Sequence, residues 1–233
     1  MGLGFQRLTR FRDRARLLCT PGATPYARQE LGLTHGHREI HFDIETDPTR
    51  GSLVYLHGFL IREPDGDGFN ERYQHIFAQT PEEEGDAFAE AMRFLASDPE
   101  AHIYYYSKYE RSSFRSLAHR HPDVCSREDV DRLFDPSRAT DLLFDVIMPH
   151  TEWPTPNHSI KTLARSLGFD WRDSDASGAA SIAWFDEYVR TRDPSIRRRI
   201  LEYNEDDVRA SAVVLDGLRA LRVSGPPTWP PAG

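Results

Sequence analysis

The run Ser52 to Ile61 (SLVYLHGFLI) contains no charged side chain and directly follows an alternating segment, Glu39 to Glu45 (EIHFDIE). A run of ten residues is about half of what a membrane-crossing helix needs. It matches a buried β-strand, and the alternating segment before it matches a strand with one apolar face. The chain is therefore expected to be built around a sheet that starts near residue 39. A third strand is expected over Glu71 to Gln79, after the turn Asp65-Gly-Asp-Gly68. A fourth is expected over Ala101 to Tyr106.

Helices are expected between and after these strands. Thr80-Pro81-Glu82-Glu83 has the signature of a helix start, with a Thr cap and Pro at the first helical position, and the helix is expected to run to about Ser97. Another begins near Glu110. Ser159 to Leu167, ending at Gly168, then Ala180 to Arg190, and a long stretch from Pro194 to Leu221 are expected to be helical. Strands, a helix, a strand and then helices define an α/β class, a mixed β-sheet flanked by α-helices.

The chain has 233 residues, of which 39% are hydrophobic and 28% charged, the balance of a globular domain. We expect three parts: a basic N-terminal extension over 1–38, one domain over 39–222, and a Pro-rich disordered tail over 223–233. The first 38 residues carry seven Arg against Asp13 and Glu30, a net of +5. The formal net charge is −8, so the remainder carries −13. So acidic a body repels nucleic acid unless bound cations or a local basic patch reverse the field. Cys19 and Cys125 are far apart and without CxxC spacing, which excludes a disulfide framework. With no apolar leader and no run near 20 residues, a cytoplasmic location and no membrane partner are expected.

Residues two apart on a strand share a face, so Asp43 and Glu45 present paired carboxylates on one side while Ile40, Phe42 and Ile44 line the other. An Asp-x-Glu pair alone is common on any solvated strand. In Leu201-Glu-Tyr-Asn-Glu-Asp-Asp207, Tyr203 and Asp207 are one helical turn apart and share a face. Alone, that segment reads more simply as a packed Tyr203 beside a solvated acidic run of Glu205, Asp206 and Asp207. Glu110 adds a carboxylate where the fourth strand gives way to a helix, and Asp141 opens the apolar run Asp141-Leu-Leu-Phe144, where capping is the simpler role.

Taken in order, these pieces resemble the DEDD superfamily of 3′–5′ exonucleases, which have the ribonuclease-H-like fold, and Tyr203 aligns the chain with the DEDDy branch. FDIETDP, YYYSKYERSSFRSLA, DLLFDV, SIKTLARSLGF and YNEDDVRA are similar to the ribonuclease-H-like nuclease domain family that also occurs beside RecB-like nucleases and in the YprB proteins. The resemblance spans roughly residues 39 to 222. It implies a divalent-metal-dependent nuclease that hydrolyses single-stranded DNA or RNA from a 3′ end. It implies two divalent cations, Mg²⁺ or Mn²⁺, held by Asp43, Glu45, Glu110 and Asp207, with Tyr203 positioning the attacking water. Hard cations of this kind take oxygen ligands. Glu110 stands where most superfamily members have Asp, and Asp141 is the reserve ligand.

Lys108, Tyr109 and Lys161 are the expected substrate contacts, with Arg111, Arg115 and Tyr105 as further candidates. The resemblance also suggests a RecB-like nuclease or helicase as a partner. The alternative is a catalytically inactive ribonuclease-H-like module that binds nucleic acid or protein.

Overall fold

The computed structural model describes residues 2–33, 37–175 and 177–226. It opens with helix α1 (Gly2–Cys19) and a two-residue strand β1 (Tyr26–Ala27). The main sheet is formed by β2 (Glu39–Asp47), β3 (Leu53–Asp65), β4 (Gly68–Phe77), β5 (His102–Tyr105) and β6 (Ala139–Asp141), in the spatial order β4-β3-β2-β5-β6. β2, β3 and β4 form an antiparallel meander, and β5 and β6 run parallel to β2. The sheet is mixed, as the sequence pattern implies.

Helices α2 (Glu84–Ala96), α3 (Tyr109–Arg120) and α4 (Arg127–Leu133) lie on one side. After β6 come a π-helical turn (Leu142–Ile147), the short α5 (Met148–His150) and strand β7 (Thr151–Glu152), which pairs with β1. Helices α6 (Ile160–Ser166), α7 (Gly178–Thr191) and α8 (Pro194–Arg219) complete the chain on the other side.

The alternation in β2 sorts its side chains between these layers. Ile40, Phe42 and Ile44 enter a core with Phe59, Phe88, Phe114 and Phe134. The intervening His41, Asp43 and Glu45 face α8, which crosses the sheet over β2 and β3. Leu60 on β3 meets Val208 and Ala212 of α8, so the helix is seated on the sheet by apolar contact. Its far end is fastened by charge: Arg62 reaches Asp216 at 2.7 Å and Glu39 at 3.3 Å, and Arg219 reaches Glu39 at 2.6 Å. Glu39 is fully buried. Burial alone would raise its pKa, but hydrogen bonds with His41 and Arg219 hold it at about 2.

Element boundaries follow the sequence pattern closely, with physical reasons where they differ. β3 continues to Asp65 because β4 pairs with it through the Asp65–Gly68 turn. Before α2, Pro81–Glu83 forms a 3₁₀ turn, and the Thr80 side chain makes no cap bond. The side chain of Glu83 instead accepts from the Gln79 N–H at 2.8 Å.

α1 rests on the domain through Leu17, which is buried, and through Arg10 and Arg14, whose guanidinium groups donate to the carbonyls of Pro149 and Pro156. Past α8, the Ser224 N–H donates to the Ala27 carbonyl at 2.9 Å. The last part of the tail, 227–233, lies outside the described residues.

Candidate metal centre

β2 pairs with β5 only as far as His41 opposite Tyr104, and then continues alone on that side. Asp43 and Glu45 therefore sit just beyond the point where the parallel strands separate. Glu110 follows the end of β5, and Asp141 ends β6. All of these carboxylates lie at the carboxyl ends of parallel strands, the usual place for a site in an open α/β sheet. A register shift between Glu45 and Thr46 marks a bulge there, a common device for re-aiming side chains beside an active site.

α8 closes the site from above. Asp43, Glu45 and Asp207 each offer a carboxylate oxygen such that all three lie within 4.8 Å of one another. Glu45 is 7% exposed and Asp207 9%. Asp43 is half-buried. Tyr203, one turn before Asp207, is buried, and its hydroxyl favours the ionised form of the Asp207 carboxyl. The four residues thus occupy the positions that their spacing implies, converging rather than scattered over a solvated face.

Each carboxylate is held by neighbours. The indole N–H of Trp171 donates to Asp207 Oδ1 at 2.7 Å. Asn204 Nδ2 donates to Asp43 Oδ2 at 2.8 Å. The hydroxyl of Tyr55 lies 3.5 Å from Glu45 Oε2 and 2.6 Å from Ser181 Oγ. None of these supporting residues was singled out from the sequence. Gly58, directly opposite Asp43 in the β2–β3 register, is a signal that was available, because a glycine inside an apolar strand marks a close approach.

Glu110 lies outside the three-carboxylate grouping but is one of the charges acting on Asp43. It is 3% exposed, and its Oε2 has no hydrogen-bond partner. Asp141 is engaged as a cap: its Oδ1 accepts from the N–H groups of Ser107, Leu143 and Phe144 at 3.0–3.1 Å. Through Ser107, whose φ is +114°, it fixes the turn that leads into α3 and Glu110.

The electrostatics are those of anions crowded together out of water. Burial, then the charges of Asp207, Glu45 and Glu110, raise Asp43 well above the ordinary carboxylate range. Burial and the Asp207 charge raise Glu45 to about 8, and burial raises Asp207 to about 6. Burial, with the nearby charge of Asp141, raises Glu110 to about 8. Lys161 opposes the trend at Asp207 and Glu45. A divalent cation bound among these oxygens would stabilise their ionised forms. The donor set is all oxygen, as Mg²⁺ and Mn²⁺ require, and Glu110 Oε2 is an orphaned acceptor at its edge. The residues fit such an ion.

Of the expected substrate contacts, Lys161 is at the centre: its Nζ is 3.4 Å from the Tyr203 hydroxyl and 5.5 Å from the Trp171 ring centroid. Tyr109 is half exposed, and its hydroxyl is 2.6 Å from Thr46 Oγ1, next to Glu45. Lys108 lies over the Phe144 ring at 4.5 Å. The further candidates have protein partners. Arg111 and Arg115 are both paired with Asp131, and Tyr105 is buried in the core beneath Phe134.

A mixed sheet with its carboxylates at the ends of the parallel strands, closed by a C-terminal helix, defines a ribonuclease-H-like domain. A family model described as the RNase H superfamily matches residues 40–219, and the chain belongs to that superfamily. No curated protein and no solved structure matches the chain significantly. Membership points to nucleic-acid hydrolysis as the class of activity, with nucleic acid as the binding partner.

Proposed function

We propose that the chain is a divalent-metal-dependent 3′–5′ exonuclease of the DEDDy type, acting on single-stranded DNA or RNA. The observation that carries this reading is the convergence of Asp43, Glu45 and Asp207 within 4.8 Å, with Tyr203 one helical turn from Asp207. In this reading Asp43, Glu45, Asp207 and Glu110 hold two ions, Mg²⁺ or Mn²⁺. Bound there, the ions supply the positive charge that an in-line phosphodiester displacement needs at its attacking and leaving oxygens.

The chain's own groups do the rest. The Tyr203 hydroxyl, raised above its ordinary pKa by burial and by the Asp207 charge, stays protonated and orients the attacking water by hydrogen bonding. Lys161 brings a cation to the same edge and offers it to a non-bridging phosphate oxygen. Tyr109 presents a half-exposed ring for base stacking, and Lys108 lies one residue away for the adjoining phosphate. A RecB-like nuclease or helicase partner and a cytoplasmic location belong to the same reading. Among the described residues, no helix is long and apolar enough to cross a membrane.

The test is cleavage of 5′-labelled single-stranded DNA and RNA with Mn²⁺, Mg²⁺ or EDTA, with Asp43→Ala as the control. The expected result is a metal-dependent ladder shortening from the 3′ end and absent in the variant. No cleavage of either strand, with no rise in melting temperature on adding Mn²⁺, overturns the reading.

A further inference from the structure

Asn204 lies in the same helix as Tyr203 and Asp207, is completely withdrawn from solvent, and has no part in the chemistry above. Both ends of its side-chain amide are engaged. Nδ2 donates to Asp43 Oδ2 at 2.8 Å, and Oδ1 accepts from the Tyr73 hydroxyl at 2.9 Å. An amide presents a donor on one side and an acceptor on the other. Tyr73, donating to the oxygen, leaves only the N–H side for Asp43. The reversed amide would aim an oxygen at a carboxylate oxygen.

The sheet is shaped to admit this contact. Gly58 stands opposite Asp43 in the β2–β3 register, and a Cβ there would come 1.6 Å from Asn204 Oδ1. Any other residue at 58 would displace the amide from Asp43. Three elements therefore agree on one hydrogen bond: β4 through Tyr73, β3 through the missing side chain of Gly58, and α8 through Asn204. Asp43 has two carboxylate oxygens. With Oδ2 held, the rotation of the group about its Cβ–Cγ bond is set, and Oδ1 is left with a fixed direction.

We propose that Asn204, oriented by Tyr73, is a positioning residue that sets the ionised Asp43 carboxylate for cation binding. This rests on the reading of Asp43, Glu45 and Asp207 as a divalent-cation site. Groups that orient a metal ligand typically contribute about 10- to 100-fold in affinity.

The experiment is calorimetric titration of the full chain with Mn²⁺ across a pH series, for the unaltered protein, Tyr73→Phe and Asn204→Ala. Melting temperatures in EDTA report folding separately. Tyr73→Phe is the decisive variant, because it keeps the ring and removes only the hydroxyl. It is expected to unfold cooperatively but at a lower temperature in EDTA, because the buried Asn204 Oδ1 loses its donor, to bind Mn²⁺ about 10-fold more weakly, and to need a higher pH for the same occupancy. Asn204→Ala is expected to lose at least as much affinity. An unchanged dissociation constant and pH profile in Tyr73→Phe overturn the inference, whether or not Asn204→Ala folds. No Mn²⁺ binding by the unaltered protein at any pH overturns the cation site itself, and the inference with it.

Discussion

The indole N–H of Trp171 and Oδ1 of Asp207 form a 2.7 Å hydrogen bond between a loop residue and α8, with both side chains withdrawn from water. A buried carboxylate oxygen that loses its donor keeps the full cost of its desolvation, about 1–3 kcal/mol. Trp171→Phe is therefore expected to lower unfolding free energy by about that amount. Urea titration in the presence of EDTA checks it. The Asp207 carboxyl, with one stabilising bond removed, is expected to titrate higher in the variant.

Tyr203→Phe separates packing from chemistry. The ring stays against Trp184, 6.0 Å between centroids, and only the hydroxyl is removed. We expect the single-turnover rate to fall by about 100-fold, the scale of a positioned proton-handling group. Mn²⁺ binding, measured by titration, is expected to persist. An unchanged rate would assign Tyr203 to the core alone.

The raised carboxylates give a pH dependence with a definite sign. Between about pH 4.5 and pH 8, Glu45 (about 8) and Asp207 (about 6) hold more protons in the folded chain than in the unfolded one. The stability they contribute without metal is greatest at the acid end and is lost as pH rises through their folded values. The melting temperature in EDTA is expected to decline over that range. Cation binding needs the ionised forms, so stabilisation by Mn²⁺ is expected to grow over the same range. Glu39, held at about 2, acts in the opposite sense, and its contribution is lost only in acid. Melting curves from pH 4 to 9, with Mn²⁺ and with EDTA, test both halves.

Glu110 sits where a charge is not easily kept. With Oε2 unpartnered and its pKa raised by burial to about 8, Glu110→Gln is expected to leave the melting temperature in EDTA at pH 8.5 unchanged or higher. Cleavage is nevertheless expected to fall by about 100-fold or more if the residue completes the ion site. A destabilised but fully active variant would make Glu110 a structural acid.

Much of this was legible in the residues. β2 could be read because its alternation is regular over seven positions, and the helix starts because Pro81, Ser159 and Pro194 are local signals. Asp43, Glu45, Tyr203 and Asp207 could be placed because strand and helix periods decide which side chains share a face. β6 was not legible, since three residues are too few to show a period. α4 was overlooked although Ser126 and Asp129 form a capping box, a signal that the chain does carry. Trp171 sits in a loop, where no periodicity says which way an indole turns. The partner of Arg111 and Arg115 was not legible either, since a sequence shows charges without their partners, and Asp131 pairs with both.

The cluster that joins Arg62, Glu39, Asp216 and Arg219 lies at the C-terminal end of α8, about two to three turns beyond Asp207. It acts as an anchor for a lever. Rotating α8, or sliding it by one turn, would strip Arg219 from a fully buried Glu39, at a cost of about 3–5 kcal/mol for breaking a buried pair, and would take Asp216 from Arg62 as well. Asp207 and Tyr203 therefore travel with the sheet as one body. The α6 end that carries Lys161 and the loop that carries Trp171 meet Tyr203 and Asp207 from outside that body. A shift of either piece therefore reaches the site as a lost contact to Asp207 or Tyr203, while the spacing of the acidic residues stays with the sheet and α8.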